Sequence, residues 1–239
     1  MGIELGVGKE SGLRRSEAGW LEDFKLRRGS ILSLQDQAGK WFRARVTELN
    51  ESELRFKVFA ELKRPVESGL FLILLQAIPN QERMELIIEK SVELGVDQIQ
   101  PFFSRRSYGL AELKQKKWHR WQERARRAAE QSRRGLVPEV FAPKFLEDAV
   151  QVCGGVELKL VLYEGEAERG LREFLEAKNL VRSCALAVGP EGGWEGEEIE
   201  GLKGKGFVAV GMGGRILRVE TAAITGVGMV QYILGDLGR

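Results

Sequence analysis

Histidine occurs once in the 239 residues, at His119, and cysteine twice, at Cys153 and Cys184. A zinc site of the usual ligand set cannot be assembled from residues so few and so scattered. No motif calls for any other metal. Two thiols without CxxC spacing exclude a disulfide scaffold and fit a reducing compartment, so a cytoplasmic location is expected. The longest apolar run, Leu70 to Leu75 with its extension to Ile78, is far short of the roughly 18 residues a membrane helix needs. The first twenty residues contain no continuous apolar stretch, and Gly6 stands where a myristoylation signal wants Ser or Thr, so neither an export signal nor a lipid anchor is expected. Also missing are GxGxxG followed by an acidic residue, and GxxxxGK[ST], which disfavours a dinucleotide site and a P-loop. No repeat or low-complexity segment stands out.

What is present is an ordinary globular composition. Hydrophobic residues make up 43% and charged residues 30%, with a mean hydropathy of -0.23, enough to bury a core in one large domain or two small ones. The net charge is only +2, but it is unevenly placed. From Arg105 to Arg134 there are eleven Lys or Arg against three Glu, so the rest of the chain is net acidic. Such asymmetry is the footprint of a protein that meets a polyanion on one face.

Within that segment, Arg120, Arg124, Arg127, Gln131 and Arg134 fall in a stripe about 80° wide at helical spacing. Trp118, Trp121, Ala125, Ala128, Ala129 and Ser132 form an opposite, apolar stripe. The pattern predicts an amphipathic helix. Spacing alone leaves two readings of its basic face, a solvated surface and a phosphate track; arginine's planar fork suits the second. The two tryptophans are expected in the core rather than stacked on bases, and His119 at the surface.

Along the chain, Ile31 to Phe59 alternates at short period. Leu32 and Leu34, then Phe42, Ala44 and Val46 after Trp41, then Leu54, Phe56 and Val58 are separated by turn-like clusters at Asp36 to Gly39 and Asn50 to Ser52. This predicts a small antiparallel β unit. After Pro65 the texture changes to buried strands alternating with helices: strands at Leu70 to Ile78, Val96 to Phe102, Leu158 to Tyr163, Cys184 to Val188 and Phe207 to Val210. A helix from about Asn80 carries Met84, Ile87, Ile88 and Leu94 inward and stops at Gly95. That order predicts a parallel α/β sheet, and the boundary divides residues 1–68 from 69–239. Two glycine-rich loops follow predicted strands, Gly189-Pro190-Glu191-Gly192-Gly193 and Gly211-Met212-Gly213-Gly214-Arg215. They suit either tight turns or close backbone approach to a ligand beyond the strand ends. Gly226 and Gly228, in the expected last helix, suit close helix packing.

Four segments, in order, carry a resemblance: Glu89-Lys90 to Val96, Ala128 to Arg134, Val188 to Gly193, and Gly213 to Ala222. Together they resemble the RsmE family, S-adenosylmethionine-dependent methyltransferases of N3 of a uridine in small-subunit (16S) ribosomal RNA. The resemblance extends to Trp20 to Val46, which is similar to the family's PUA-like β-barrel. It implies an RNA-binding barrel over 1–68, a trefoil-knotted SPOUT methyltransferase domain over 69–239, and a homodimer with shared active sites. It implies cofactor contacts from Leu162, Gly189, Pro190, Glu191, Gly192, Gly193, Met212, Gly213, Arg215, Ile216, Leu217 and Arg218. Met212 stands where the family usually has Leu, and Glu22 and Asp23 interrupt a segment the family keeps basic.

For methyl transfer to N3, the N3 proton must leave and the charge developing on the uracil must be stabilised. Arg134 is the first candidate for that charge, with Arg218 and Glu220 next; Glu220 serves equally well as a favourable charge at a helix start. Arg105, Arg106, Arg120, Arg124, Arg127, Gln131 and Arg134 are the expected RNA contacts, and ribosomal RNA or the small subunit the expected partner. Two alternatives remain open from sequence: a related methyltransferase acting on a ribose hydroxyl or a transfer RNA, and a noncatalytic RNA-binding assembly factor.

Overall fold

The computed structural model describes residues 3–107, 118–165, 170–178 and 180–238. Met1–Glu67 with Arg126–Val137 form one compact unit, and Ser68–Ala125 with Pro138–Arg239 form another. The first unit thus takes in a segment that a single cut at residue 68 would assign to the second.

The first unit is a four-stranded antiparallel, barrel-like sheet. Its strands are β1 (Glu10–Arg14), β2 (Ile31–Gln35), β3 (Trp41–Leu49) and β4 (Glu53–Leu62), in the order β1-β4-β3-β2. The alternation in the sequence is the cause: Leu32, Leu34, Phe42, Ala44, Val46, Leu54, Phe56 and Val58 share one buried core while their neighbours face outward. The two turn clusters close as their side chains dictate. Asp36 Oδ1 accepts the N–H groups of Ala38 and Lys40, both at 2.9 Å, and Asn50 Oδ1 accepts those of Ser52 and Glu53 at 3.0 and 2.8 Å. Strand β1 was not anticipated, because Leu13 is its only buried side chain and one inward residue makes no pattern.

The second unit is built on a parallel sheet. Its strands are β5 (Phe71–Ala77), β6 (Gln98–Phe103), β7 (Glu139–Val140), β8 (Lys144–Phe145), β9 (Leu158–Leu162), β10 (Ser183–Val188) and β11 (Val208–Val210). The order is β11-β9-β10-β5-β6-β7, with β8 also on β6. The five predicted strands are all present; β7 and β8, two residues each, are too short to leave a pattern.

The α-helices among the described residues are α1 (Gln81–Glu93), α2 (Arg120–Ser132), α3 (Leu146–Ala149), α4 (Leu171–Glu176), α5 (Gly196–Gly204) and α6 (Val219–Ile233). Helix α1 starts where Asn80 caps it, its side chain accepting the Arg83 N–H at 3.0 Å. It ends at Gly95, whose φ of +91° is the left-handed conformation glycine tolerates. Met84, Ile87 and Ile88 are fully buried; Leu94, at the cap, is only half-buried.

Gly226 explains how α6 lies so close to the sheet. A Cβ there would sit 3.0 Å from both Leu162 Cδ1 and Leu186 Cδ2, whereas one at Gly228 would meet only Leu94 Cδ1 at 3.9 Å. Gly226→Val should therefore cost about 1–3 kcal/mol through overpacking, while Gly228→Ala should gain about 0.5–1 kcal/mol from helix propensity. Urea unfolding midpoints should move in opposite directions.

The two cysteine thiols provide a second check. Both are buried, and burial pushes each up to about 12 from an ordinary value of 9.0, aided at Cys184 by the neighbouring Cys153. At pH 8 neither should react with a thiol reagent until the chain is unfolded. Because the unfolded thiols ionise first, folding stability should be unaffected by them below pH 9 and should fall as pH rises from 9 toward 12. Alkaline titration of the urea midpoint tests the sign.

Candidate active site

Strands β11, β9 and β10 are neighbours, and their ends are level. Leu162 is in register with Val188 on one side and with Val210 on the other. Since all three strands run the same way, the loops after them leave from a single edge of the sheet, where open α/β sheets bind ligands. They enclose a cleft of about 500 Å³. All twelve residues that the resemblance gave to the cofactor line it.

Each loop owes its path to a specific constraint. Gly189 has no room for a side chain because a Cβ would lie 2.6 Å from Trp194 Nε1. That indole passes beneath the loop, donates to Leu162 O at 2.9 Å and stacks on Phe102 with ring centroids 5.7 Å apart. Trp194 was not singled out in the sequence; the Gly-Gly-Trp that ends the loop was its only signal. Gly193 turns the chain at φ +76°, its N–H donating to Pro190 O at 3.0 Å. In the other loop Gly213 has φ +97°. Arg215, Ile216 and Arg218 are exposed at the mouth, while Val219 and Ala222 bring the first turn of α6 to the wall, placing the positive end of a 15-residue helix there.

Glu220 is turned from this wall toward α1. Its Oε2 lies 3.4 Å from Arg83 Nε and has no hydrogen bond among the described residues. Arg83 also pairs with Glu191 Oε1 at 2.7 Å, and its side chain lines the cleft.

Of the expected RNA contacts, Arg105 and Arg106 lie beside α5. Arg105 pairs with Glu195 and Glu197 at 3.2 and 2.5 Å, and these bonds, Glu195 foremost, raise its pKa. Arg106 reaches Glu195 at 3.4 Å and donates to Gly192 O at 3.0 Å. The part of the basic segment at 108–117 lies outside the described residues.

Helix α2 shows both faces expected of it, with two corrections. Ala125, Ala128, Ala129 and Trp121 are buried, the last at 3% exposure; Ser132 bonds back to Ala128 O at 2.7 Å. Trp118, expected in the core, is 43% exposed because the helix begins at Arg120 and helical spacing does not reach back to it. Arg120, Arg127 and Gln131 are exposed, and Arg124 pairs with Glu85 and Glu89 of α1 at 2.8 and 3.3 Å. Bonds to Glu85, first from Gln81 and then from Arg124, lower that carboxyl's pKa.

The second correction concerns Arg134. The helix ends at Ser132 and Arg133 has φ +59°, so Arg134 leaves the stripe. Its side chain is 5% exposed and holds Glu67 Oε2 through Nη2 at 2.6 Å and Nε at 3.0 Å. Glu67 Oε1 accepts the Gly135 N–H at 2.7 Å. The Arg133 carbonyl accepts from Ser33 Oγ and Arg43 Nη1, both at 2.5 Å. These contacts fasten the chain after α2 within the first unit.

The RNA methyltransferase domain family matches residues 66–231. Ribosomal RNA small subunit methyltransferase E of Buchnera aphidicola (from Schizaphis graminum) is 31% identical over 216 residues, 89% of this chain and 86% of that protein. The enzyme of the same name from Mycobacterium tuberculosis is 32% identical over 217 residues, 87% and 80% of the two. Among solved structures, ribosomal RNA small subunit methyltransferase E from Neisseria gonorrhoeae bound to S-adenosylmethionine superposes with a TM-score of 0.71 at 32% identity, covering 99% of this chain and 97% of that one.

The Arg134–Glu67 pair makes a measurable claim. Removing one partner of a buried pair takes away the charge that balances the other, so Arg134→Met or Glu67→Ala alone should destabilise the protein by about 3–5 kcal/mol. Arg134→Met with Glu67→Leu should cost less than either single change. Urea unfolding of the three variants measures this.

Proposed function

As a member of the ribosomal RNA small subunit methyltransferase E family, this chain is an S-adenosylmethionine-dependent ribosomal RNA methyltransferase, and we propose that it modifies N3 of a uridine in small-subunit (16S) RNA at the cleft beyond β9, β10 and β11. The observation that carries the assignment is that all twelve expected cofactor residues, from three separated segments, line that one cleft.

The cleft suits the cofactor chemically. Leu162, Val188, Val210, Met212 and Leu217 offer an apolar wall for an adenine ring. The loops supply backbone N–H and C=O groups at glycines that admit close approach, and Arg215 and Arg218 supply positive charge at the mouth. When bound, S-adenosylmethionine provides an electrophilic methyl group on a sulfonium.

The protein's own contribution is alignment and charge. In this reading Arg218, exposed at the start of α6, faces the uracil and stabilises negative charge as the N3 proton passes to water, with the helix terminus adding to the same field. Arg134, the first candidate from sequence, already holds Glu67, so its role here is structural. Glu220 is held toward Arg83, which favours an electrostatic role over proton transfer. Arg120, Arg127 and Gln131 meet backbone phosphate, and the N-terminal sheet serves as an RNA-binding module.

A base within paired RNA hides N3, so the substrate must present or extrude it. A cytoplasmic homodimer with the family's knot completes the proposal. The dimer is supported by an exposed, uncharged line on α6 through Thr221, Thr225 and Tyr232, at spacings that put them on one helix face.

Mass spectrometry of digested RNA from a strain lacking the protein should show a missing base methyl on one small-subunit uridine; loss of a ribose methyl or of a transfer RNA methyl would replace the proposal. Arg218→Ala should lower single-turnover methylation by about a hundredfold with RNA saturating. Arg120→Ala should instead weaken RNA binding and reduce its salt slope by about one. Sedimentation at micromolar concentration should give twice 26.8 kDa.

A further inference from the structure

The walls of the cleft come from segments far apart in sequence, and one side chain joins two of them. Arg83, in the first turn of α1, holds Glu191 of the Gly189 to Gly193 loop through Nη1 at 2.7 Å and faces Glu220 of the first turn of α6 through Nε at 3.4 Å. The local frame is fixed from below. Asn80 caps α1 by accepting the Arg83 N–H at 3.0 Å, and its own N–H lies 3.4 Å from the same Glu191 oxygen.

We propose that Arg83 is a positioning residue for the cofactor site: it sets the separation of the glycine loop and the start of α6, and its positive charge sits against two carboxylates whose mutual repulsion would otherwise drive those walls apart. Two different nitrogens of one planar group make the two contacts, which a lysine's single ammonium does not reproduce. The burial of Glu220 sharpens the need. Its side chain is 14% exposed, and its Oε2 has Arg83 alongside but no hydrogen bond. Without the cation, two partly buried negative charges would face each other across the gap. The effect on the reaction is indirect, since Arg83 acts by holding the walls against which the cofactor rests.

The proposal rests on the cleft being the cofactor site, and the test separates the two. By calorimetry, Arg83→Met should bind S-adenosylmethionine about tenfold more weakly than wild type, and KM for the cofactor should rise more than kcat falls. Arg83→Lys should fall between the two, and it keeps the question answerable if the methionine variant does not fold. Adding Glu220→Gln to Arg83→Met should recover most of the affinity, because it removes a charge that Arg83 had balanced; loss of a generic packing contact would not be rescued this way. In the cofactor-free protein, amide exchange at Ala222 and Ala223 should quicken in Arg83→Met. Wild-type affinity in Arg83→Met, or a loss confined to kcat, overturns the proposal. Gly213→Val, at φ +97° in the other loop, is the control: if it too binds as wild type, the cleft assignment falls and the proposal with it.

Discussion

Parallel pairing of three adjacent strands is the constraint from which the site follows. A parallel ladder fixes direction as well as register, so once β9 lies between β10 and β11 with Leu162 opposite Val188 and Val210, their three exits share an edge. Antiparallel neighbours would send alternate loops to opposite ends. The cleft is therefore a property of the sheet before it is a property of any loop. Loop chemistry then refines it: Gly189 yields to the Trp194 indole, and Gly193 and Gly213 take backbone conformations closed to most residues. Helix α6 supplies the remaining wall because Gly226 lets it settle on Leu162 and Leu186.

Much of this was legible in the sequence because periodicity reports burial. The five main strands, the Asn80 start of α1 and the alternating core of the N-terminal sheet all follow from which side chains shun water. What was not legible falls into two kinds. Elements with little or nothing to bury, such as β1, β7 and β8, leave no pattern. Helical spacing also cannot say where a helix ends, which is why Trp118 and Arg134 were placed on stripes that stop short of them. The pairing of charges is hidden for the same reason: Arg83 and Glu220 are 137 positions apart in the sequence, and only the fold makes them neighbours.

The basic residues illustrate how far a local charge count departs from the charge a partner meets. Arg105, Arg106, Arg124 and Arg134 each face a glutamate, so they stitch the protein to itself as much as they offer charge outward. Of these, only Arg134 is buried in its pair; Arg105, Arg106 and Arg124 keep more than a third of their side chains exposed, and Arg120 and Arg127 are also exposed on α2. For an enzyme of the ribosomal RNA methyltransferase family this division matters. Internal pairs are insensitive to salt when buried, while exposed arginines carry the ionic-strength dependence of RNA binding.

Gln231, buried near the end of α6, donates to the Gly95 carbonyl at 2.8 Å and accepts from Ser68 Oγ at 2.9 Å. These contacts tie the first residues of the α/β unit to nearly the last, across 163 positions. On a translating ribosome the chain emerges from its N-terminus, so the antiparallel sheet and β5 through β11 are all outside before α6 can dock. The wall formed by Val219 and Ala222 follows the strands it packs on, so the cleft is complete only once α6 has docked. The direction of synthesis thus orders the cleft's assembly: the sheet edge that forms its floor is laid down before the helix that closes it.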